Sequence, residues 1–327
     1  MLNGNRRIAS YVLAGILLLY CFEHFFLLKE ITSQQYTLHT ITEIKVLCRN
    51  ERQGRRAVLA AFARLKELEE KFNYFSPASE LSRLNKEAHA REMPLSDDMF
   101  GILTLALEGS ALSDGAFDIT ATPITRLYGF GTDIRRAPDS ARLQTAQKQV
   151  GWQNIRLDPQ KQTIRLLNKN TLLDLGGIAK GYAVDEAVEV LRRHGIKQGL
   201  VNSGGNIYAL GRNRGKPWRI GIRNPRADTP AALSARETAL QTLELSDAAC
   251  ATSGDYEQYF MDGNKRYAHI FNPRTGQPAN QENNLASVTV IAATAARADL
   301  LSTACFVMGE EKSASLPEKK FFYYAEE

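Results

Sequence analysis

Leu172-Leu-Asp-Leu-Gly-Gly-Ile-Ala-Lys-Gly-Tyr-Ala183 sets one carboxylate and one ammonium, Asp174 and Lys180, among glycine and aliphatic residues. Gly176 and Gly177 remove the Cβ atoms that keep a ligand away from the backbone, and Lys180-Gly181 opens an amphipathic run over residues 182–194. The stretch reads as strand, tight loop and helix start. Such a junction turns backbone N–H groups outward and suits an anion, a phosphate-bearing ligand first of all. Lys180 adds positive charge, while Asp174 is free to meet a hydroxyl, serve as a base or bind a metal. Neither a Walker A pattern nor a dinucleotide fingerprint fits. Taken alone, these residues are also those of a strand-to-helix turn with packing glycines and a solvated lysine.

Outward from this junction, strands and separate helices follow one another. Downstream, residues 199–202, 207–210, 218–222, 266–271 and 287–292 are strand-like, and residues 294–308 carry a helical pattern. Upstream, residues 42–48 are strand-like and residues 53–74 place alanine, leucine and phenylalanine at helical spacing. Residues 76–85 form a turn and capping cluster, and a second helix over 97–112 ends near Asp114-Gly115. Residues 154–157 and 162–167 alternate on either side of Asp158-Pro159, as a hairpin does. Hairpins with separate helices predict an α+β fold, a largely antiparallel sheet with flanking helices, rather than a doubly wound one.

The 327 residues are 44% hydrophobic and 24% charged, the composition of a globular protein with a sizeable core. The formal charge of +5 is modest for this length, and no basic run is interleaved with aromatics, which argues against nucleic acid as a partner. At the N-terminus Arg6-Arg7 precede an uncharged run over residues 8–22, broken by Glu23-His24 and resumed by Phe25-Phe-Leu-Leu28. This predicts a signal anchor or signal peptide within residues 1–30. Because basic residues stay on the cytoplasmic side, it also predicts a body anchored to the inner membrane on its periplasmic side. The four cysteines, Cys21, Cys48, Cys250 and Cys305, form no Cys-x-x-Cys pair, so neither a disulfide framework nor a thiolate zinc site is expected.

Several short constellations carry chemistry. Asp299 and Thr303 stand four apart in the helix expected over 294–308 and share one face with small or apolar neighbours. A carboxylate and a hydroxyl placed so suit a hard cation such as Mg²⁺ that keeps waters and bridges phosphates; a helix cap or a satisfied buried pair uses the same residues. Val201-Asn-Ser-Gly-Gly-Asn206 and Ala251-Thr-Ser-Gly-Asp255 read as small polar loops after strands, open to close backbone approach. His269-Ile-Phe-Asn-Pro-Arg-Thr-Gly276 joins an acid/base or hydrogen-bonding histidine to a turn whose arginine suits anions. Gly115-Ala-Phe-Asp-Ile-Thr120 offers exposed backbone beside Asp118. Together they point to a phosphorylated ligand held with a divalent cation.

In order along the chain, Ser79-Glu-Leu-Ser-Arg-Leu-Asn85, Gly115-Ala-Phe-Asp118, the 173–183 stretch, Asn202-Ser-Gly-Gly-Asn206, Ala251-Thr-Ser-Gly254, residues 269–276 and Asp299-x-x-x-Thr303 resemble the ApbE family, the FAD:protein FMN transferases. The resemblance covers about residues 36–310 and implies a T-fold-related domain over 36–327. The activity it implies is Mg²⁺-dependent transfer of FMN from FAD to a threonine or serine hydroxyl of an exported or membrane acceptor protein, forming a phosphoester and releasing AMP. Asp299 and Thr303 match the family's metal ligands, with Gly177 contributing its carbonyl. Ala116, Phe117, Asp118, Asp174 and Lys180 match positions that hold FAD, and Ile270 matches a further flavin contact. His269 is the candidate base for the attacking hydroxyl, with Asp174 or metal-assisted deprotonation as rivals. Acceptors of the kind the resemblance implies are respiratory-complex subunits and nitrous-oxide reductase maturation proteins.

Three positions depart from the family's pattern. Leu38-His39-Thr40 stands where Met-Gly-Thr is usual, Phe75 where a tyrosine is usual, and Asn272 where an aspartate is frequent. Two other readings share these residues: a Mg²⁺-dependent FAD pyrophosphatase giving FMN and AMP, and a non-catalytic flavin-binding maturation protein.

Overall fold

A computed structural model describes residues 28–132, 134–226 and 239–325, so nearly all of the expected signal segment lies outside the described residues. Along the chain come β1 (Lys29–Thr37), β2 (Thr40–Cys48), α1 (Glu51–Phe72), α2 (Glu80–Glu87), β3 (Met93–Pro94), α3 (Asp97–Leu112), α4 (Thr122–Leu127) and α5 (Ser140–Gln147). There follow β4 (Ile155–Asp158), β5 (Thr163–Leu166), α6 (Ala179–Arg193), β6 (Gly199–Ser203), β7 (Asn206–Leu210), β8 (Trp218–Arg223), β9 (Ala239–Leu245) and β10 (Ala248–Gly254). The chain closes with β11 (Tyr259–Asp262), β12 (Lys265–Ala268), α7 (Ala279–Asn283), β13 (Leu285–Ala292), α8 (Ala295–Ser313) and β14 (Lys319–Tyr324).

Seven of these strands form one sheet in the order β1-β2-β6-β7-β10-β13-β14, and every neighbouring pair is antiparallel. The expected α+β class with a largely antiparallel sheet is the one observed. Both faces are covered, and the residue alternation of β2 shows how. Ile44, Val46 and Cys48 point into the larger core beneath α1, α6 and α8, while Leu47 joins a second core closed by the β8–β9 hairpin. Burial of this aliphatic surface, at about 25 cal/mol per Å², is the main force holding the layers together. Helices α1, α3 and α6 are also tied by Arg64, whose guanidinium bonds Glu186 at 2.8 Å and Asp98, which Lys71 reaches as well.

The structure corrects several local expectations. Residues 251–254, read as a loop, belong to β10, paired with β13 through Thr252↔Thr289 and Ser253↔Val288. Ser253 lies under α8, where its Oγ bonds Ser302 Oγ at 2.8 Å, while Thr252 on the opposite face bonds Thr289 Oγ1 at 2.8 Å. The strand expected over 266–271 stops at Ala268, leaving Phe271 in an isolated bridge to Pro278. The capping cluster opens a helix: Ser79 accepts from the Ser82 amide at 3.0 Å at the start of α2. Strand β1 carries no hydrophobic alternation, since only Ile31 and Thr37 of its nine residues are buried, and it owes its form to pairing with β2. Among the described residues, no helix is long and apolar enough to cross a membrane.

Candidate active site

The 172–183 stretch folds as loop and helix start. The Asp174 amide donates to Ile119 O at 2.8 Å, pinning it to the 115–120 segment, and Asp174 Oδ1 accepts from the Gly176 amide at 2.8 Å. That bond shapes the turn that presents Gly176 and Gly177. A methyl group added at Gly177 would sit 3.0 Å from Phe117 Cε2 and 3.4 Å from Thr303 Oγ1, so only glycine backbone approaches α8 this closely. One helical turn later, the Gly181 amide donates to Oδ2 of the buried Asp299 at 2.9 Å.

These elements enclose a cavity of about 900 Å³, and all ten residues singled out in the sequence line it: Ala116, Phe117, Asp118, Asp174, Gly177, Lys180, His269, Ile270, Asp299 and Thr303. Burial raises the Asp299 carboxyl above its ordinary value, against the lowering effects of Lys180, the Gly181 amide and the Asn206 side chain. Burial likewise raises Asp174, opposed by the Gly176 amide and by the Lys180 and Arg126 charges. The His269 ring is pushed down to about 4 by burial and by Lys180, so it is neutral near pH 7. Its Nδ1 lies 3.2 Å from Gln258 O, which only an N–H can satisfy; the neutral ring therefore carries its lone pair on Nε2.

Other predicted features are placed differently. Asp118 lines the cavity, but Oδ1 accepts from the Thr120 amide and hydroxyl at 2.8 and 2.7 Å and Oδ2 from the Trp152 amide at 2.9 Å, so its carboxylate is committed to folding the loop. Arg274, read as an anion ligand, is exposed, pairs with Asp114 and does not line the cavity. Asn272 donates to Glu282 at 2.7 Å.

Arg126 and Asp185 were not identified from the sequence, and Asn206 and Ser253, though within motifs singled out there, had no role of their own assigned. Arg126 lines the cavity with its guanidinium 5.2 Å from the Tyr74 ring centre. Ser253 Oγ lies 3.2 Å from Thr303 Oγ1. Asn206 is buried beside Asp299, and its Oδ1 has no hydrogen-bond partner among the described residues. Asp185 accepts from the Ala295 and Ala296 amides at 2.7 and 2.8 Å, capping the helix that carries Asp299 and Thr303. Only proximity in space marks Arg126 and Asp185, since charged side chains in helices are ordinary in sequence.

The donor set tests the implied cation. Among the described residues no three His, Cys, Asp or Glu side chains cluster as a metal site. Mg²⁺, however, is bound through one or two carboxylates, with waters and substrate phosphates completing its shell. A buried carboxylate on α8, a hydroxyl one turn on and a glycine loop whose backbone approaches that hydroxyl are all oxygen donors on one wall, and they fit such an ion.

Comparison with known proteins places most of the chain. The sequence model of the ApbE family matches residues 38–322. A Haemophilus influenzae protein named FAD:protein FMN transferase is 36% identical over 261 residues, 78% of this chain and 73% of that protein. A Vibrio cholerae protein of the same name is 34% identical, covering 78% of this chain and 74% of its own length. The crystal structure of Pseudomonas stutzeri flavinyl transferase ApbE, apo form, superposes with a TM-score of 0.80 at 30% identity, covering 92% of this chain and 93% of the other. Fold and sequence thus agree, and the chain belongs to the ApbE family.

Proposed function

We propose that this chain is an FAD:protein FMN transferase that moves FMN from FAD to a threonine or serine hydroxyl of an exported or membrane acceptor, releasing AMP. The observation that carries the proposal is the convergence of ten residues, from segments up to 187 positions apart (Ala116 to Thr303), on one cavity of about 900 Å³. That volume lies near the top of the roughly 300–1,000 Å³ typical of ligand pockets and suits a dinucleotide-sized molecule.

In this reading the new phosphoester bond forms between the acceptor oxygen and the FMN phosphorus as the pyrophosphate P–O bond breaks, and AMP leaves with that oxygen and its electron pair. The hydroxyl proton goes to Nε2 of His269, held in the right tautomer by Gln258 O, and from there to the departing phosphate. Asp174 is the rival acceptor for this proton. Lys180 places a fixed positive charge on the cavity wall. Asp299, Thr303 and the Gly177 carbonyl are the residues that would hold Mg²⁺, which when bound supplies charge neutralisation for the pyrophosphate. Ala116, Phe117, Asp118 and Ile270 line the cavity as the flavin-nucleotide contacts of this proposal. We further propose that residues 1–30 anchor the protein to the inner membrane with this domain on the periplasmic side.

The test is incubation of the full chain with FAD, Mg²⁺ and co-purified membrane proteins, followed by denaturing electrophoresis. A covalently fluorescent acceptor band and stoichiometric AMP are expected. AMP released at the same rate with and without acceptor would replace the transferase by a pyrophosphatase, and FAD binding without any AMP would leave a binding protein.

A further inference from the structure

Transfer to a protein requires that a polypeptide segment reach the cavity, and one sheet edge leads there. Strands β1 and β2 join through Leu38 and His39, both left-handed with φ of 53° and 60°, as a two-residue type I′ turn demands. Leu38, His39 and Thr40 line the cavity, so the outermost strand of the main sheet runs directly to its mouth. In such a hairpin Thr37↔Thr40 is a hydrogen-bonded pair, and bonding alternates from there. Glu30, Thr32, Gln34 and Tyr36 therefore turn their backbone N–H and C=O groups away from β2, toward an edge on which no strand pairs among the described residues.

Sheet edges are usually blunted by charge, proline or a covering element. This one instead ends in an exposed apolar pair: Tyr36 is 70% exposed and Ile41, directly opposite it, 64% exposed, on the face that Glu43 and Lys45 share. Phe75, 67% exposed, lines the cavity and meets the His39 ring edge-on at 6.3 Å. Unpaired backbone and three large apolar side chains thus surround the turn that forms part of the cavity wall.

We infer that the acceptor protein docks by strand addition on β1: an extended acceptor segment pairs with the backbone of residues 30–36, its apolar side chains cover Tyr36 and Ile41, and its hydroxyl residue passes over the 38–39 turn into the cavity. Main-chain pairing supplies affinity, and the apolar pair supplies register. The inference rests on the transferase reading, since only a protein acceptor needs such a surface.

Gln34→Pro tests it, because the outward backbone amide of Gln34 serves no ladder bond to β2; proline removes that edge donor and the exposed side-chain bond from Gln34 Nε2 to Glu43 at 2.6 Å, and Gln34→Ala, which removes the side-chain bond alone, is the control. With the acceptor that the unaltered chain labels, the expected result is at least a tenfold fall in labelling rate at low acceptor concentration, through a raised acceptor KM, while FAD affinity and melting temperature hold. Tyr36→Ser with Ile41→Ser should act in the same direction without touching the backbone. Hydrogen exchange at residues 30, 32, 34 and 36 should slow when acceptor is added. Unchanged labelling by both variants would overturn the docking proposal alone. So would protection of these amides before acceptor is added, whether by residues 1–27 or by a second copy of the chain. Failure of the unaltered chain to label any acceptor would instead overturn the transferase reading.

Discussion

The Gly181 amide donates to Oδ2 of Asp299 at 2.9 Å, joining the first turn of α6 to the buried carboxylate of α8. The contact depends on close packing, because a methyl group at Gly181 would lie 2.3 Å from the Ala295 carbonyl oxygen. It links the Gly-Gly-x-x-Lys-Gly stretch to Asp299 across more than a hundred residues.

Gly181→Ala tests that packing. Helix propensity alone favours alanine by about 1 kcal/mol. Overpacking against backbone that cannot rotate away costs about 1–3 kcal/mol. A net loss is expected, read as a melting temperature several degrees below the parent, together with reduced FMN transfer.

Asp299→Asn retains the side-chain volume and an oxygen for the Gly181 amide but removes the charge. Transfer should fall on the order of 10²–10³-fold, the scale on which a preorganised charge-stabilising group is lost. Thermal stability should change little. Undiminished transfer would remove Asp299 from the proposed site.

His269 sets a pH signature. Its folded value of about 4 lies below the ordinary 6.5, so the native state takes up this proton later than the unfolded chain does. The contribution to stability is complete above about pH 6.5 and is lost as pH falls through about 4. Asp185, raised to about 6 by burial, works with the opposite sign in the same window, since its native state takes up a proton first. Melting curves of the parent and of His269→Gln between pH 4 and 7 separate the two. The parent should lose more stability than the variant as pH falls, and the acid limb of its transfer rate should show no inflection near 6.5.

Asp185→Ala removes the acceptor of two amides at the start of α8. A lost cap of this kind costs about 1–2 kcal/mol, measurable by urea unfolding. Asp185→Asn, with one remaining acceptor oxygen, should recover part of that loss.

What was legible in the sequence follows from local constraint. The periodicities of α1 and α6 are visible because each buries one stripe, whereas α3, packed on α1 and α8, and α8, buried on nearly all sides, show as long apolar helical runs; the sequence bounds of 97–112 are those of α3. Of the ten cavity residues, Asp174, Lys180, Asp299, Thr303 and His269 stood out by residue type and spacing, whereas Ala116, Phe117, Asp118, Ile270 and the Gly177 carbonyl were assigned roles by the family resemblance of the ordered motifs. Residues 251–254 read as a loop because a strand of small residues lacks the bulky alternation that marks strands, and Ser253, packed under α8, meets Ser302 there.

The sequence by itself determined the α+β class, the main helices, the ordered motifs and the residue types available for phosphate and cation binding, all set by side-chain periodicity and backbone freedom. Only the tertiary structure decided that Asp118 spends its carboxylate on its own loop, that Arg274 points away, that Asp185 caps the helix bearing Asp299, and that an exposed strand edge ends at the cavity. Those outcomes depend on contacts between segments far apart in the chain, fixed when both faces of the seven-stranded sheet are covered, and no local pattern encodes them.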